Sequence, residues 1–168
     1  MFNNKYTVLL LIAVFGAVVL FFVLGGPGSS VEQNVILEAS ADKASYSAGE
    51  EITLSLNLTN LGTADVCISE RSLGSIRFTS ITRDGETLET RSATSYFITS
   101  FSEILKSNLT PVAAGDTMEL SLMSSFDPGL GSQALSTTIP DDSSGIATFY
   151  NVEKPGTYAL EMVYDYAG

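Results

Sequence analysis

The feature that most constrains this chain is Thr7 to Leu24, TVLLLIAVFGAVVLFFVL, 18 consecutive residues without a charge. A helix rises about 1.5 Å per residue, so the run covers about 27 Å, close to a hydrocarbon core of about 30 Å. A removed secretory signal is the rival reading, but such signals usually have an apolar core of about 7 to 15 residues and then a small-x-small cleavage site. Here Gly25-Gly26-Pro27-Gly28-Ser29-Ser30 follows, and the nearest Ala-x-Ala, Ala39-Ser40-Ala41, lies well downstream. The sequence therefore predicts a retained transmembrane helix over residues 7–24, preceded by residues 1–6 and followed by a linker over 25–34 and a domain over 35–168. Ala13, Gly16 and Ala17 are small enough to let a neighbouring helix approach closely, so they are candidate partner-binding residues.

Charge sets the orientation. Lys5 precedes the run, whereas the residues after Leu24 hold all 19 carboxylates and the other seven cations, a net charge of −12. By the positive-inside tendency the N-terminus is cytoplasmic and the domain periplasmic or extracellular, on a single-pass protein of the cytoplasmic membrane. Nucleic acid and anionic headgroups need a basic footprint, so neither is expected as a partner of the domain. Cys67 stands alone, which excludes an internal disulfide. Its setting, Val66-Cys67-Ile68, suggests a small buried apolar side chain, with an intermolecular disulfide as the lesser alternative.

Beyond the apolar run the periodicity is that of strands. Val35 to Ala39 is a candidate first strand. From Ile52 to Leu58, Ile52, Leu54, Leu56 and Leu58 alternate with Thr53, Ser55 and Asn57, the pattern of a half-buried antiparallel strand. Val66 to Ile68 starts another strand. Ile76 to Ile81 and Thr87 to Thr90 flank Asp84-Gly85, which supplies the positive φ angles of a tight hairpin turn. Ser100 and Glu103 have capping-box spacing, with Phe101, Ile104, Leu105 and Leu109 on one face of a short helix ending before Pro111. Thr117 to Leu122 alternates again. Met123 to Ser144 reads as a long irregular loop. Such loops are usually functional or disordered, and Phe126, Leu130 and Leu135 are its candidate docking residues, with Ile139 a further apolar side chain. Ile146 to Val152 and Thr157 to Tyr166 are expected to close the domain as a pair, with Tyr158, Leu160, Met162, Tyr164 and Tyr166 lining one face. Tyr158 is given a structural role at a sheet corner.

The spacing Tyr46-x-x-Gly49-Glu50-x-Ile52-x-Leu54-x-Leu56-x-Leu58-x-Asn60, followed by Leu109-x-Pro111, Gly115-Asp116 and Pro155-Gly156-Thr157-Tyr158-x-Leu160, resembles bacterial immunoglobulin-like domains. Those of the intracellular proteinase-inhibitor type and the accessory domains of secreted metalloproteases are similar. The resemblance spans Val35 to Tyr166 and implies a mainly β immunoglobulin-like antiparallel sandwich. A hydrophobic N-terminal helix ahead of a sandwich also resembles pilin-like and archaellum stator subunits, although Asn4-Lys5-Tyr6-Thr7 lacks the pilin cleavage mark.

The chain contains no histidine, which removes Ser-His-Asp and Cys-His catalysis, imidazole-held zinc and cupredoxin-type copper in their ordinary forms. No G-x-S-x-G, phosphate-binding loop or CxxC occurs. Asp127, Asp141 and Asp142 match no calcium-loop spacing. No catalytic residue, cofactor, metal or small-molecule substrate is therefore expected. Asn57-Leu58-Thr59 and Asn108-Leu109-Thr110 are formal glycosylation sequons. The expectation is a membrane-anchored, non-catalytic accessory or structural subunit of a larger membrane complex, such as an electron-transport or photosynthetic assembly. Its partners would be other membrane-protein subunits and, through residues 7–24, the bilayer. A surface-adhesion, pilus-like or proteinase-inhibitor-like module is the alternative.

Overall fold

Fourteen strands among the described residues, all paired antiparallel, form this protein, whose computed structural model describes residues 6–14, 21–25, 35–72, 74–95, 103, 106–140 and 145–164. The alternating segment forms β4 (Thr53–Asn60), with Leu54, Leu56 and Leu58 fully buried and Thr53, Ser55 and Asn57 half-buried between them. It is the middle strand of three, between β3 (Val35–Ala41) and β10 (Thr117–Met123). A two-stranded ribbon joins β5 (Val66–Ser69) to β9 (Leu109–Val112).

The largest sheet has the order β2-β1-β14-β6-β7, formed by Phe21–Gly25, Tyr6–Val14, Gly156–Tyr164, Ile76–Arg83 and Glu86–Thr87 respectively. In β14, Tyr158, Leu160, Met162 and Tyr164 are buried, as their spacing predicts; Tyr166 lies outside the described residues. A register shift between Glu161 and Met162 accompanies burial of Val163 as well. The β6–β7 turn has Asp84 at φ 52° and Gly85 at φ 85°, the paired positive angles that the Asp-Gly dipeptide predicts. The fourth sheet has the order β11-β12-β13-β8, from Ser125–Asp127, Ser132–Pro140, Gly145–Asn151 and Thr90–Ser95. One apolar cluster draws on β3, β4, β5, β6, β9, β10, β12 and β14, so these sheets share a core, an arrangement compatible with a β-sandwich.

Of the span expected as a transmembrane helix, residues 15–20 lie outside the described residues, and the described parts belong to the strands Tyr6–Val14 and Phe21–Gly25. β1 pairs with β14 from Tyr6↔Tyr164 to Val14↔Gly156, where the sheet edge takes up its backbone groups. No helix among the described residues is long and apolar enough to cross a membrane. Met123 to Ser144 is not a loop: Ser125–Asp127 and Ser132–Pro140 pair as a hairpin, while residues 141–144 lie outside the described residues. The closing pair does not form either, because β13 joins β12 and β8 whereas β14 joins β1 and β6. The chain changes sheets between them, and the Tyr158 hydroxyl donates to the Lys154 carbonyl at 2.5 Å across that corner. Leu109 belongs to β9 rather than to a helix face. Glu103, Lys106 and Ser107 are helical, and residues 101, 102, 104 and 105 lie outside the described residues. Cys67 is exposed, because the alternation of β5 turns Ile68 inward and Cys67 out.

Candidate functional site

The candidate docking residues centre on the β11–β12 hairpin, which three local devices hold in place. The first is Ser124, between β10 and β11. Its backbone N–H donates to the Ile52 carbonyl at 2.8 Å, and its hydroxyl accepts from the Ile52 N–H at 2.8 Å. This buried serine thus continues the β10–β4 pairing across the break.

The second is Asp127, which ends β11 and is 3% exposed. Its carboxylate receives both arms of the Arg91 guanidinium, through Nε at 3.0 Å and through Nη2, and Oδ1 also accepts the Leu130 N–H at 2.8 Å. The forked pair holds the Asp127 carboxyl below the usual carboxylate range; burial opposes this shift, and the Leu130 N–H reinforces it. The guanidinium lies 4.6 Å from the centre of the Phe149 ring, so Arg91 on β8 is stacked as well as paired.

The third is the turn itself, Pro128-Gly129-Leu130-Gly131. Gly131 has φ 65°, and its N–H donates to the Asp127 carbonyl at 2.8 Å. A Cβ at Gly129 would come within 2.3 Å of Arg91 Nε, so a bare backbone lets the guanidinium lie against the turn. Opposite Asp127 in the register, Ser132 is buried with a hydroxyl that has no hydrogen-bond partner, the one such side-chain atom among the described residues.

On this braced hairpin Phe126 is 62% exposed and nearby Met123 52%. Leu130 is half-buried in the turn. Leu135, by contrast, is fully buried, so it fills the core and offers nothing to a partner. Its β12 position opposite Tyr150 turns it inward. Of the residues expected to pack against a neighbouring helix, Ala13 lies in β1, and Gly16 and Ala17 lie outside the described residues. Arg91 escaped the sequence reading. Its partner is 36 residues away, and no local spacing links the two.

Apart from the hairpin, a concavity opens where the β7–β8 and β13–β14 connections run side by side, tied by the Asn151 N–H to the Glu89 carbonyl at 3.2 Å. Arg83, Glu86, Glu89 and Lys154 line it with Leu88 and Asn151, around a volume of about 160 Å³. Sites for small molecules usually measure about 300–1,000 Å³ and are mostly apolar, so this cleft is small and strongly polar by comparison. Among the described residues no group of three or more His, Cys, Asp or Glu is placed to hold a metal ion. Asp141 and Asp142 lie outside the described residues.

No family model matches the chain, and neither a curated protein nor a solved structure does.

Proposed function

We propose that this chain is a membrane-anchored, non-catalytic accessory or structural subunit of a larger membrane complex, of the electron-transport or photosynthetic kind. It works by contact, through its membrane segment and through Phe126 on the β11–β12 hairpin. The observation that carries the proposal is a large aromatic side chain, 62% exposed, on a hairpin braced by the Arg91–Asp127 pair. Interfaces draw their affinity from such rigid aromatic anchors, and loss of one costs about 2 kcal/mol or more of binding. The non-catalytic reading is supported by the lack of histidine and by the engagement of Asp127, a carboxylate of the hairpin, with Arg91.

The anchor rests on the 18 uncharged residues 7–24. In hydrocarbon every backbone group must be satisfied within the segment or in a closed barrel, so a single run crosses as a helix. In the anchored form residues 7–24 therefore leave the edge of β14, the N-terminus is cytoplasmic, and the domain stands periplasmic or extracellular. The immunoglobulin-like type is supported by the sheet changes after β7 and after β13 and by the Tyr158 corner bond.

The test is native electrophoresis of gentle detergent extracts, with mass spectrometry of co-migrating chains. Phe126→Asp, and Gly16→Leu in the membrane segment, are each expected to release the chain from its high-mass assembly. Migration with the same partners in both variants would overturn the proposal. The alternative, an adhesion, pilus-like or proteinase-inhibitor-like module using the hairpin as bait, requires the head without residues 1–24 to bind its target unaided.

A further inference from the structure

The two Asn-x-Thr triplets occupy opposite situations in the fold. Asn57-Leu58-Thr59 lies inside β4, with Asn57 opposite Glu38 on one side and Glu119 on the other, and with Leu58 fully buried. Presenting this triplet to an enzyme means breaking both ladders of the three-stranded sheet and pulling Leu58 from the core. Asn108-Leu109-Thr110 instead begins in a turn and enters the four-residue β9, which pairs with β5 alone in its sheet, and Leu109 is half-buried. Short edge segments of this kind open locally at low cost.

The side chain of Asn108 is half-buried, with its amide held at the surface. Its Oδ1 accepts from Arg71 Nε at 3.1 Å, and its Nδ2 donates to Ser107 Oγ at 3.2 Å, both at the exposed surface. We infer that Asn108 is a site of N-linked glycosylation and that Asn57 is not. The inference rests on the reading that the domain faces away from the cytoplasm, because transfer from the donor, a lipid-linked oligosaccharide phosphate, takes place on that non-cytoplasmic face. In the transfer Nδ2 attacks the anomeric carbon, the bond from that carbon to the lipid phosphate oxygen breaks, and the phosphate leaves with the bonding electrons. The amide proton passes to a base of the transferase. The glycosylated amide keeps its carbonyl and one N–H, so Oδ1 can still accept from Arg71, and the bulky glycan extends from the surface. Thr110 supplies the hydroxyl that completes the triplet; in the folded chain it donates to the Glu70 carboxylate.

The test uses the full-length protein from its native membranes. Peptide mass spectrometry is expected to find hexose or hexosamine increments on the peptide containing Asn108 and none on that containing Asn57. Asn108→Gln and Thr110→Ala abolish the increment, whereas Thr110→Ser and Asn57→Gln preserve it. Topology is read separately by labelling the exposed Cys67 in intact cells with a membrane-impermeant maleimide. Cys67 labelled from outside with Asn108 unmodified, or a glycan on Asn57 alone, overturns the inference and leaves the orientation standing. Labelling only after lysis overturns the orientation and the inference together. The wild-type peptide masses decide the matter even where a variant fails to fold.

Discussion

At the scale of single residues, the hairpin depends on one buried carboxylate and the cation it meets. The folded-state pKa of Asp127 lies below its ordinary value, so its ionised form favours folding at pH above the unfolded carboxyl pKa of about 4. That contribution disappears as pH falls through the lower folded value. Thermal melts from pH 6 down to pH 2.5 are therefore expected to lose midpoint temperature more steeply in the wild type than in Asp127→Asn; parallel curves would contradict this role. Ser132 makes the opposite case. Because its buried hydroxyl has no partner, Ser132→Ala removes an unpaired group whose burial costs about 1–3 kcal/mol. The variant should match or exceed the wild type in urea denaturation, and a loss of more than about 1 kcal/mol would show that the hydroxyl is satisfied after all. Asn60 is fully buried and fully used. Its amide donates to the Ala64 and Val112 carbonyls, each at 2.9 Å, and its Oδ1 accepts the Gly62 N–H at 2.9 Å. Asn60→Ala leaves those groups unpaired and should cost about 2 kcal/mol in the same experiment.

At the scale of elements, what can be read from sequence is what neighbouring residues decide between themselves. The alternation of Ile52 to Leu58 and the Asp84-Gly85 turn are local patterns, and both are found as expected. Met123 to Ser144 reads as a loop because its strands turn polar residues inward. Ser124, Asp127, Ser132, Thr137 and Thr138 are all buried, and the partners of Ser124 and Asp127 include residues far away in the chain. Hydropathy has no way to register Arg91 waiting across the sheet. The same limit explains the missing closing pair. Both strands are evident, but the sheet each joins depends on the corner at Lys154 to Tyr158 and on long-range pairing. For Cys67, a run of three apolar residues leaves the inward side undecided until pairing with β9 fixes the register. The β1–β14 pairing carries its own prediction. In membrane-inserted protein the β14 amides that face β1 lose their partners and should exchange hydrogen as fast as an open sheet edge, while those bonded to β6 stay protected. Equal protection on both sides of β14 in vesicles would mean that residues 6–14 remain in the sheet.

At the scale of the whole molecule, an acidic, sheet-built chain carries an uncharged run, residues 7–24, whose described parts pair into the largest sheet and which as a helix is long enough to reach across a bilayer. The head has a shared apolar core and an exposed aromatic on a braced hairpin. Its excess of carboxylates favours solubility and a basic or apolar partner rather than an anionic surface. Contact as the mode of action follows only if the apolar run holds the head at a membrane. The most direct measurement is alkaline carbonate extraction of native membranes, followed by intact-mass determination of the extracted and retained chain. Retention in the membrane pellet, with a mass that includes residues 7–24, is the predicted result. A chain released to the supernatant, or one beginning beyond Leu24, would contradict it.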